Sequence, residues 1–595
     1  FGVVRQGQGT FVHSLTLAAT SAREILHGVA DARINRSVLS ASSSYFAFRP
    51  KLVDCLRGYT RARFGQDILA GLIVGIVALP LAIGFGIASG ATPAAGIITA
   101  VIGGFLVSLL GGSRVQIGGP AGAFVGLVYS IIARYGLPDL LVCTMMSGIF
   151  LFLLGSARLG SLIKFIPHPV TTGFTCGIAV TIMLTQVKDF LGLGVDQVPA
   201  EFFEKIFVLG FGLSSLNAWT TGIGIASVAV LKLWPKPWGR YVPASLVAVT
   251  SGTFAVWYWH LPVATILSRF GIDGIPSALP RLAMPVIHWT HLRDLVAPAI
   301  AITLMGSIES LLSAVVADGM IDDRHDSNQE LKAQGIANFV SPLFGGIPVT
   351  GVIARTATNV RNGASTPVAG IVHSLTLLVI VLAAAPLARL IPLTVLGAVL
   401  IVVALNMGEW DEFVLLKRQS ASDAAVFLVT FGLTVMFDLT VAVEVGMILA
   451  AVLFIKRVAD TTQVHPLEAD GADTAAGHEK LRTLPPGVLV YRVFGALMFG
   501  AADKLDNVVR RIGADTRVVI LHMAAVTALD GTALNALENL HEKLRRHRRH
   551  LVLSGPHTQP YFLMEKAGFL HEVGEENVVA DLDAALDRAK AILAA

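Results

Sequence analysis

Residues 345–355 read Gly345-Gly346-Ile347-Pro348-Val349-Thr350-Gly351-Val352-Ile353-Ala354-Arg355, an apolar run broken by glycines and a proline and ending on an arginine. A second broken run, Gly118-Gly119-Pro120-Ala121-Gly122-Ala123, lies in the first half of the chain. Each follows an apolar stretch with an unusual residue inside it. Pro80 precedes Pro120 by 40 residues, and Glu309 precedes Pro348 by 39. Short segments interrupted by Gly and Pro at matching places in two halves of a chain mark the midplane of a repeated membrane fold. Broken backbone at that depth is tolerated only where protein or a water-filled cavity satisfies its polar groups. Loop sequence of the Gly-Gly-Pro kind is common, but it does not account for the matched spacing.

The surrounding sequence supplies the membrane setting. Of 595 residues, 54% are hydrophobic and 14% charged, against roughly 25% charged in soluble domains. Residues 456–595 hold 35 charges in 140 residues, the soluble proportion, while the preceding 455 residues hold 51. The chain is therefore a large membrane body with a soluble tail, and secreted, fibrous and disordered classes are excluded. Apolar stretches near the spanning length of about 20 residues occur at 67–88, 92–111, 138–155, 169–190, 218–234, 241–260, 294–317, 367–386, 389–408, 421–437 and 439–455. Shorter ones at 119–133, 203–214, 332–345 and 349–361 read as half-spans or broken helices.

Arg57, Arg61 and Arg63, then Arg158 and Lys164, then Lys232, Lys236 and Arg240, and finally Lys417, Arg418, Lys456 and Arg457 fall in loops of one parity. By the positive-inside rule both termini are cytoplasmic, in an inner (plasma) membrane. Residues 1–60 read as a polar N-terminal cytoplasmic extension without a secretory signal, 61–457 as the transmembrane domain, 458–484 as a linker and 485–595 as the tail domain. In the tail, strands at Val488–Val493, Arg517–His522 and His550–Ser554 alternate with helices at Ala501–Ile512, Gly531–Leu544, Gln559–Ala567 and Val579–Leu593. That alternation predicts a small α/β domain. Cys55, Cys143 and Cys176 are too few and scattered for a disulfide framework or a zinc site. No Gly-rich loop ending in Gly-Lys-Ser/Thr is present, so the chain carries no ATPase engine.

An ionisable residue inside a span is a functional-site hypothesis by default, because a bare charge there costs about 2.5–3.5 kcal/mol or more. Glu309 and Arg355 are the two that stand out. Arg355 sits just past the start of a half-helix, whose N-terminus carries partial positive charge and free N–H groups. The segment at Pro120 supplies a second such start. Two helix starts and a guanidinium make an anion site, with the guanidinium offering a bidentate fork. The alternative is structural: Arg355 caps a helix end or pairs with Glu309. Phe85, after the Pro80 break, shapes the cavity or packs. His168 between two prolines reads as a loop histidine, and the basic run Lys543–Arg549 as a helix C-terminus.

These residues resemble the SulP sulfate-permease family, which includes prestin, the plant sulfate transporters and the cyanobacterial bicarbonate transporters. The resemblance runs from about Arg61 to the C-terminus. It rests on Ala78-Leu79-Pro80-Leu81-Ala82-Ile83-Gly84-Phe85-Gly86-Ile87-Ala88-Ser89-Gly90, on Gly118-Gly119-Pro120 and on Phe165-Ile166-Pro167-His168-Pro169-Val170. It continues with Ser307-Ile308-Glu309-Ser310-Leu311-Leu312 and Pro348-Val349-Thr350-Gly351-Val352-Ile353-Ala354-Arg355-Thr356. It implies about fourteen α-helical segments in a 7+7 inverted repeat, with core and gate domains and the anion between the third and tenth segments. The tail, from Val518–Met523 and Ala528–Ala533, looks like a STAS domain. The residue after Asp530, often a phosphorylatable Ser or Thr in regulatory STAS proteins, is Gly531.

On this resemblance the substrate-binding residues are Phe85, Ala121, Gly122, Gly351, Ala354 and Arg355, and the proton-coupling residues Glu309 and Ser313. The sodium-dependent bicarbonate transporters place a sodium-holding Thr at the position of Ile353 and a bicarbonate-contacting Thr at that of Ala121. Both differences count against sodium as the coupling ion, and Glu309 is similar to the glutamate of the proton-coupled sulfate transporters. The implied function is proton-coupled uptake of sulfate by alternating access in a homodimer, with no cofactor, no metal and no nucleic acid. Alternatives are a C4-dicarboxylate or bicarbonate as substrate, a passive anion channel, a voltage-driven motor, and a membrane-anchored signalling protein.

Overall fold

Thr60 starts the first membrane helix: its hydroxyl accepts a hydrogen bond from the Arg63 amide, and α1 (Arg61–Ala88) follows with Pro80 inside it. The computed structural model describes residues 48–161, 166–195, 198–239, 242–437, 439–467, 484–498, 504–505, 512–513 and 515–595. Most of the expected N-terminal extension, the loop residues Lys164 and Arg240, Phe165, most of the expected linker and most of the helix expected at 501–512 lie outside them. The chain divides into two compact units between Gly446 and Met447.

After α1 come α2 (Pro93–Leu110), wound as a π-turn at Thr99–Gly103, the two-residue strand β1 (Gly118–Gly119) and α3 (Phe124–Ser156). The stretches expected separately at 119–133 and 138–155 are thus one element, broken at Gly136 (φ 85°, ψ 167°) ahead of Pro138. α4 (His168–Leu191) is followed by α5 (Phe202–Gly212), α6 (Ala218–Leu233) and α7 (Ala244–Tyr258). The half-span expected at 203–214 is a short helix bent by 113° against α6.

The second half repeats the order with α8 (Val296–Ile321), α9 (Ser327–Val340), β2 (Thr350–Gly351), α10 (Ile353–Arg361), α11 (Val368–Ala388), α12 (Leu393–Met407), α13 (Ala421–Met436) and α14 (Leu439–Thr461). With α3 taken as two segments, α1–α4, α6 and α7 make seven, and α8–α14 make seven more, among the described residues. α1, α2 and α3 pack with α8–α11, whereas α4, α6 and α7 pack with α12 and α13. The two halves interleave. Their broken segments meet directly: β1 and β2 pair antiparallel, with Gly118 opposite Gly351 and Gly119 opposite Thr350.

α9 corrects the expected half-span at 332–345. Asp326 caps it, its carboxylate accepting from the Asn328 and Gln329 amides at 3.0 Å, so the helix begins five residues earlier. It crosses α3 at almost no separation. A Cβ on Gly335 would lie 2.6 Å from the Phe152 amide nitrogen, and one on Gly148 the same distance from that of Phe339. Small residues permit such backbone approach between membrane helices.

In the tail unit, β3 (Gln463–Pro466), β4 (Val488–Leu497), β5 (Val518–Leu529), β6 (His550–Ser554) and β7 (Val578–Val579) form one sheet in that order. β3 runs antiparallel to β4 and the remaining pairs are parallel. The strand β3 falls where sequence reading expects linker. Side chains alternate along the strands, as a period of two requires. Tyr491, Val493 and Leu521 face a core with Leu537 and Phe569, and Val490, Ile520 and Val552 face another with Leu586. α15 (Gly531–Arg546), α16 (Thr558–Lys566), α17 (Phe569–Val573) and α18 (Leu582–Ala594) complete the unit. Asp530 caps α15, accepting from the Ala533 amide at 2.8 Å. Gly531 has open space where a Cβ would be, so no packing constraint demands glycine there.

Gly335→Val places branched carbon atoms against the α3 backbone. Overpacking of this kind costs about 1–3 kcal/mol, and the thermal unfolding midpoint of the detergent-purified protein should fall measurably, whereas an exposed control such as Gly319→Ala should not change it.

Candidate anion site

The site is built on a polar stripe. Glu330, Gln334 and Asn338 recur every fourth residue on α9 and are all buried. Residues spaced by four share one helix face. The Glu330 carboxylate accepts hydrogen bonds from the Gly112 amide (2.8 Å), the Ser113 amide (3.3 Å), the Ser310 hydroxyl (3.3 Å) and the Gln334 carboxamide (3.1 Å). Asn338 closes on Val349 from both sides, accepting from its amide at 2.9 Å and donating to its carbonyl at 2.7 Å. Thr99, in the π-turn of α2, accepts from the Ile347 amide at 2.8 Å. Thr350 donates to the Gly306 carbonyl of α8 at 3.0 Å. Side chains thus satisfy the broken backbone of residues 345–351, as burial of backbone polar groups demands.

β1 and β2 hold the starts of α3 and α10 at one junction. The Val352 amide donates to the Ile117 carbonyl at 2.9 Å, so α10 departs directly from the pairing. The first amides of a helix have no partner within it. Arg355 lies in this first turn and is 2% exposed. Its Nη2 donates to the Pro120 carbonyl at 3.3 Å, while Nε and Nη1 have no hydrogen-bond partner. The guanidinium lies against Gly119, where a Cβ would run into Nη1. A buried cation with two idle donors is expensive unless something completes it. An oxyanion does so, because its oxygens match the guanidinium fork.

Glu309 is half-buried, on α8, and its Oε2 is buried without a partner. Among the described residues no ion pair within 4.0 Å joins Glu309 to Arg355. A fixed structural pair between the two is therefore not what places them. Ser313 donates to Thr356 Oγ1 at 3.3 Å, and that oxygen also accepts from the Ile117 amide at 3.0 Å, which ties α8 to α10.

The other residues singled out from sequence are placed unequally. Ala121 is buried beside the β1 turn. Phe85 is 3% exposed, and its ring, with Ile182 of α4, closes over the space where a Gly122 side chain would be. Gly351 is buried against the Gln116 carboxamide, which is held by the Ser310 carbonyl and hydroxyl at 3.2 and 2.9 Å. Ala354 is exposed, as is the adjacent Ile353. Arg355, Ala121, Gly122 and Phe85 share the junction, whereas Gly351 faces Gln116 and Ala354 is exposed.

Sequence reading missed Glu330, Gln334 and Asn338. Their signal was legible: a polar residue at every fourth position in an otherwise small and apolar stretch. Two groups of His and carboxylate side chains are close enough to share a cation, Asp139 with His288 and His291, and His168 with Glu409 and Glu412. Neither includes a junction residue. In the first, the Asp139 carboxylate already receives both imidazoles at 2.6 Å, which anchors the loop before α8 to α3.

An interleaved helical bundle whose two broken segments cross at a buried, unsatisfied guanidinium is a polytopic membrane protein with a candidate anion site. Residues 64–430 match the sulfate permease family and residues 482–585 the STAS domain. The chain belongs to the sulfate permease family, and it is an anion transporter, not an enzyme. YvdB of Bacillus subtilis, which bears a provisional sulfate-transporter name, is 39% identical over 88% of this chain and 97% of its own. The bicarbonate transporter BicA of Picosynechococcus is 31% identical over 88% and 94%. The solved transmembrane domain of a cyanobacterial BicA superposes with a TM-score of 0.58 at 28% identity, covering 66% of this chain and 98% of that one. The structure of SLC26A9, at 17% identity, shares the fold with a TM-score of 0.81 over 94% of each chain.

Arg355→Ala removes the guanidinium while leaving the α9 scaffold in place. Charge-assisted hydrogen bonds contribute about 1.5–3 kcal/mol each, so losing two should weaken anion binding by about 100-fold or more in calorimetry on monodisperse protein. Arg355→Lys should restore little, since an ammonium lacks the fork.

Proposed function

We propose that the chain is a secondary transporter that takes up sulfate with a proton, by alternating access, with Arg355 as the anion ligand and Glu309 as the proton carrier. The observation that carries this reading is the pair of unpartnered groups in one buried region, Nε and Nη1 of Arg355 and Oε2 of Glu309. Opposite charges that do not pair with each other and keep unpartnered buried atoms are suited to taking up opposite cargo. An anion occupying Arg355 removes the positive charge that favours an ionised Glu309, so a proton there becomes easier to hold. By reciprocity the proton then favours the anion. Symport follows if only the empty and the doubly loaded carrier reorient.

The seam between the two packing groups supports alternating access. Phe85 and Gly122 belong to the group of α1–α3 and α8–α11, and Ile182 to the group of α4, α6, α7, α12 and α13. Sliding one group against the other would open Gly122 first to one face and then to the other. Sodium is disfavoured because Ile353 offers no side-chain oxygen and Ala121 no hydroxyl. Both termini are assigned to the cytoplasmic side by the arginines and lysines that flank the spans. The STAS unit is assigned to homodimer contacts and rate control rather than to the pathway, because its sheet and two cores need no lipid.

The test is Glu309→Gln, a stand-in for the protonated acid, in proteoliposomes. The variant should still exchange labelled sulfate across the bilayer, but net uptake should no longer follow an imposed pH gradient. Unchanged pH-driven accumulation would remove Glu309 from the coupling, and a strict sodium requirement in the wild type would replace the proton.

A further inference from the structure

On the face of the bundle where α1 ends, a cavity of about 480 Å³ is lined by Ala88, Tyr129, Lys188, Asp189, Lys205 and Arg269, among others. Its one carboxylate in that set is already engaged, since Asp189 binds Arg269 at 2.7 and 3.0 Å. Lys205 is the unusual member. It lies in the first turns of α5, whose neighbouring Phe203 and Phe207 are 63% and 66% exposed, yet Lys205 itself is 5% exposed. No carboxylate lies within ion-pair distance of its ammonium among the described residues. Nζ instead stands 5.6 Å from the centre of the Tyr129 ring. That ring is pinned by a hydrogen bond from its hydroxyl to the Val198 carbonyl.

Lys205 and Tyr129 also form part of the wall of a second, smaller pocket of about 40 Å³. This pocket continues along Ala123, Gly126 and Thr181 to Ile182, the α4 side chain that closes over Gly122 beside Phe85. Lys205 therefore stands between an open cavity and the pocket that leads to the junction holding Arg355. An ammonium this buried costs free energy unless a partner completes it. A cation–π contact supplies only about 0.5–2 kcal/mol of that.

We propose that Lys205, backed by Tyr129 and the cations of the outer cavity, is a second anion-binding site, an antechamber occupied by inorganic oxyanions in transit to the junction. A point charge without a fork holds an anion without fixing its orientation, which suits a site that must release its occupant inward. The inference rests on the proposed reading only for the destination of the anion, not for the coupled proton.

The experiment uses the full-length protein in proteoliposomes, exchanging labelled sulfate, and in parallel bicarbonate, with no pH gradient. Lys205→Met should raise KM about tenfold, lower Vmax by much less, and flatten the dependence of KM on ionic strength. Lys205→Arg should recover most of the loss. A Lys205→Cys variant adds a charge test, because Cys55, Cys143 and Cys176 are all buried. Modification of Cys at 205 with an aminoethyl thiosulfonate should lower KM towards wild type, and with a sulfonatoethyl one should raise it further. Sulfate should slow both modifications. Unchanged KM in Lys205→Met, equal KM for the two adducts, or modification rates indifferent to sulfate would each overturn the antechamber. Failure of the central reading shows elsewhere, as exchange that survives Arg355→Ala or wild-type uptake indifferent to a pH gradient.

Discussion

Everything about the membrane unit depends on one constraint: two stretches of broken backbone cross inside the bundle, and their buried polar groups must find partners. β1 and β2 solve half of it by pairing with each other, Gly118 to Gly351 and Gly119 to Thr350. α9 solves the other half. Glu330 receives the amides of Gly112 and Ser113 on one side, and Asn338 closes both polar groups of Val349 on the other. β1, β2 and α9 thus hold one crossing, where the starts of α3 and α10 and one guanidinium meet. Gly119 leaves room for that guanidinium. The fold keeps the Arg355 donors unspent because its backbone has been satisfied elsewhere.

The same arrangement separates holding from moving. The helices that build the crossing pack among themselves, and the helices that cover it, through Ile182 against Gly122 and Phe85, belong to the other packing group. In the proposed alternating access, residues on this seam would be exposed by relative motion without rebuilding their own support. Close backbone contact at Gly148 and Gly335 makes the supporting group stiff.

Much of this was legible in the sequence because membranes impose strong rules. Spanning length, the charge contrast between body and tail, and matched Gly/Pro breaks lead to the repeat, to Arg355 and to Glu309. The polar residues of α9 were missed although their spacing of four is visible, because the half-span expected at 332–345 begins past Glu330 and averages Gln334 and Asn338 with apolar neighbours. Average hydropathy does not record a stripe. In the tail, β3 was missed because four residues at a sheet edge carry little periodic signal, whereas the Asp530 cap and the leucines of α15 were plain.

The central claim is that an anion completes the Arg355 guanidinium at the crossing of the two broken segments. It is tested most directly by determining the structure of the full-length protein with selenate, whose anomalous signal locates the oxyanion without model bias. The account predicts a selenium peak within hydrogen-bonding reach of Arg355 Nε and Nη1 and of the first amides of α3 and α10. A fully occupied peak elsewhere in the bundle, with the Arg355 donors still unpartnered or turned onto Glu309, would contradict it.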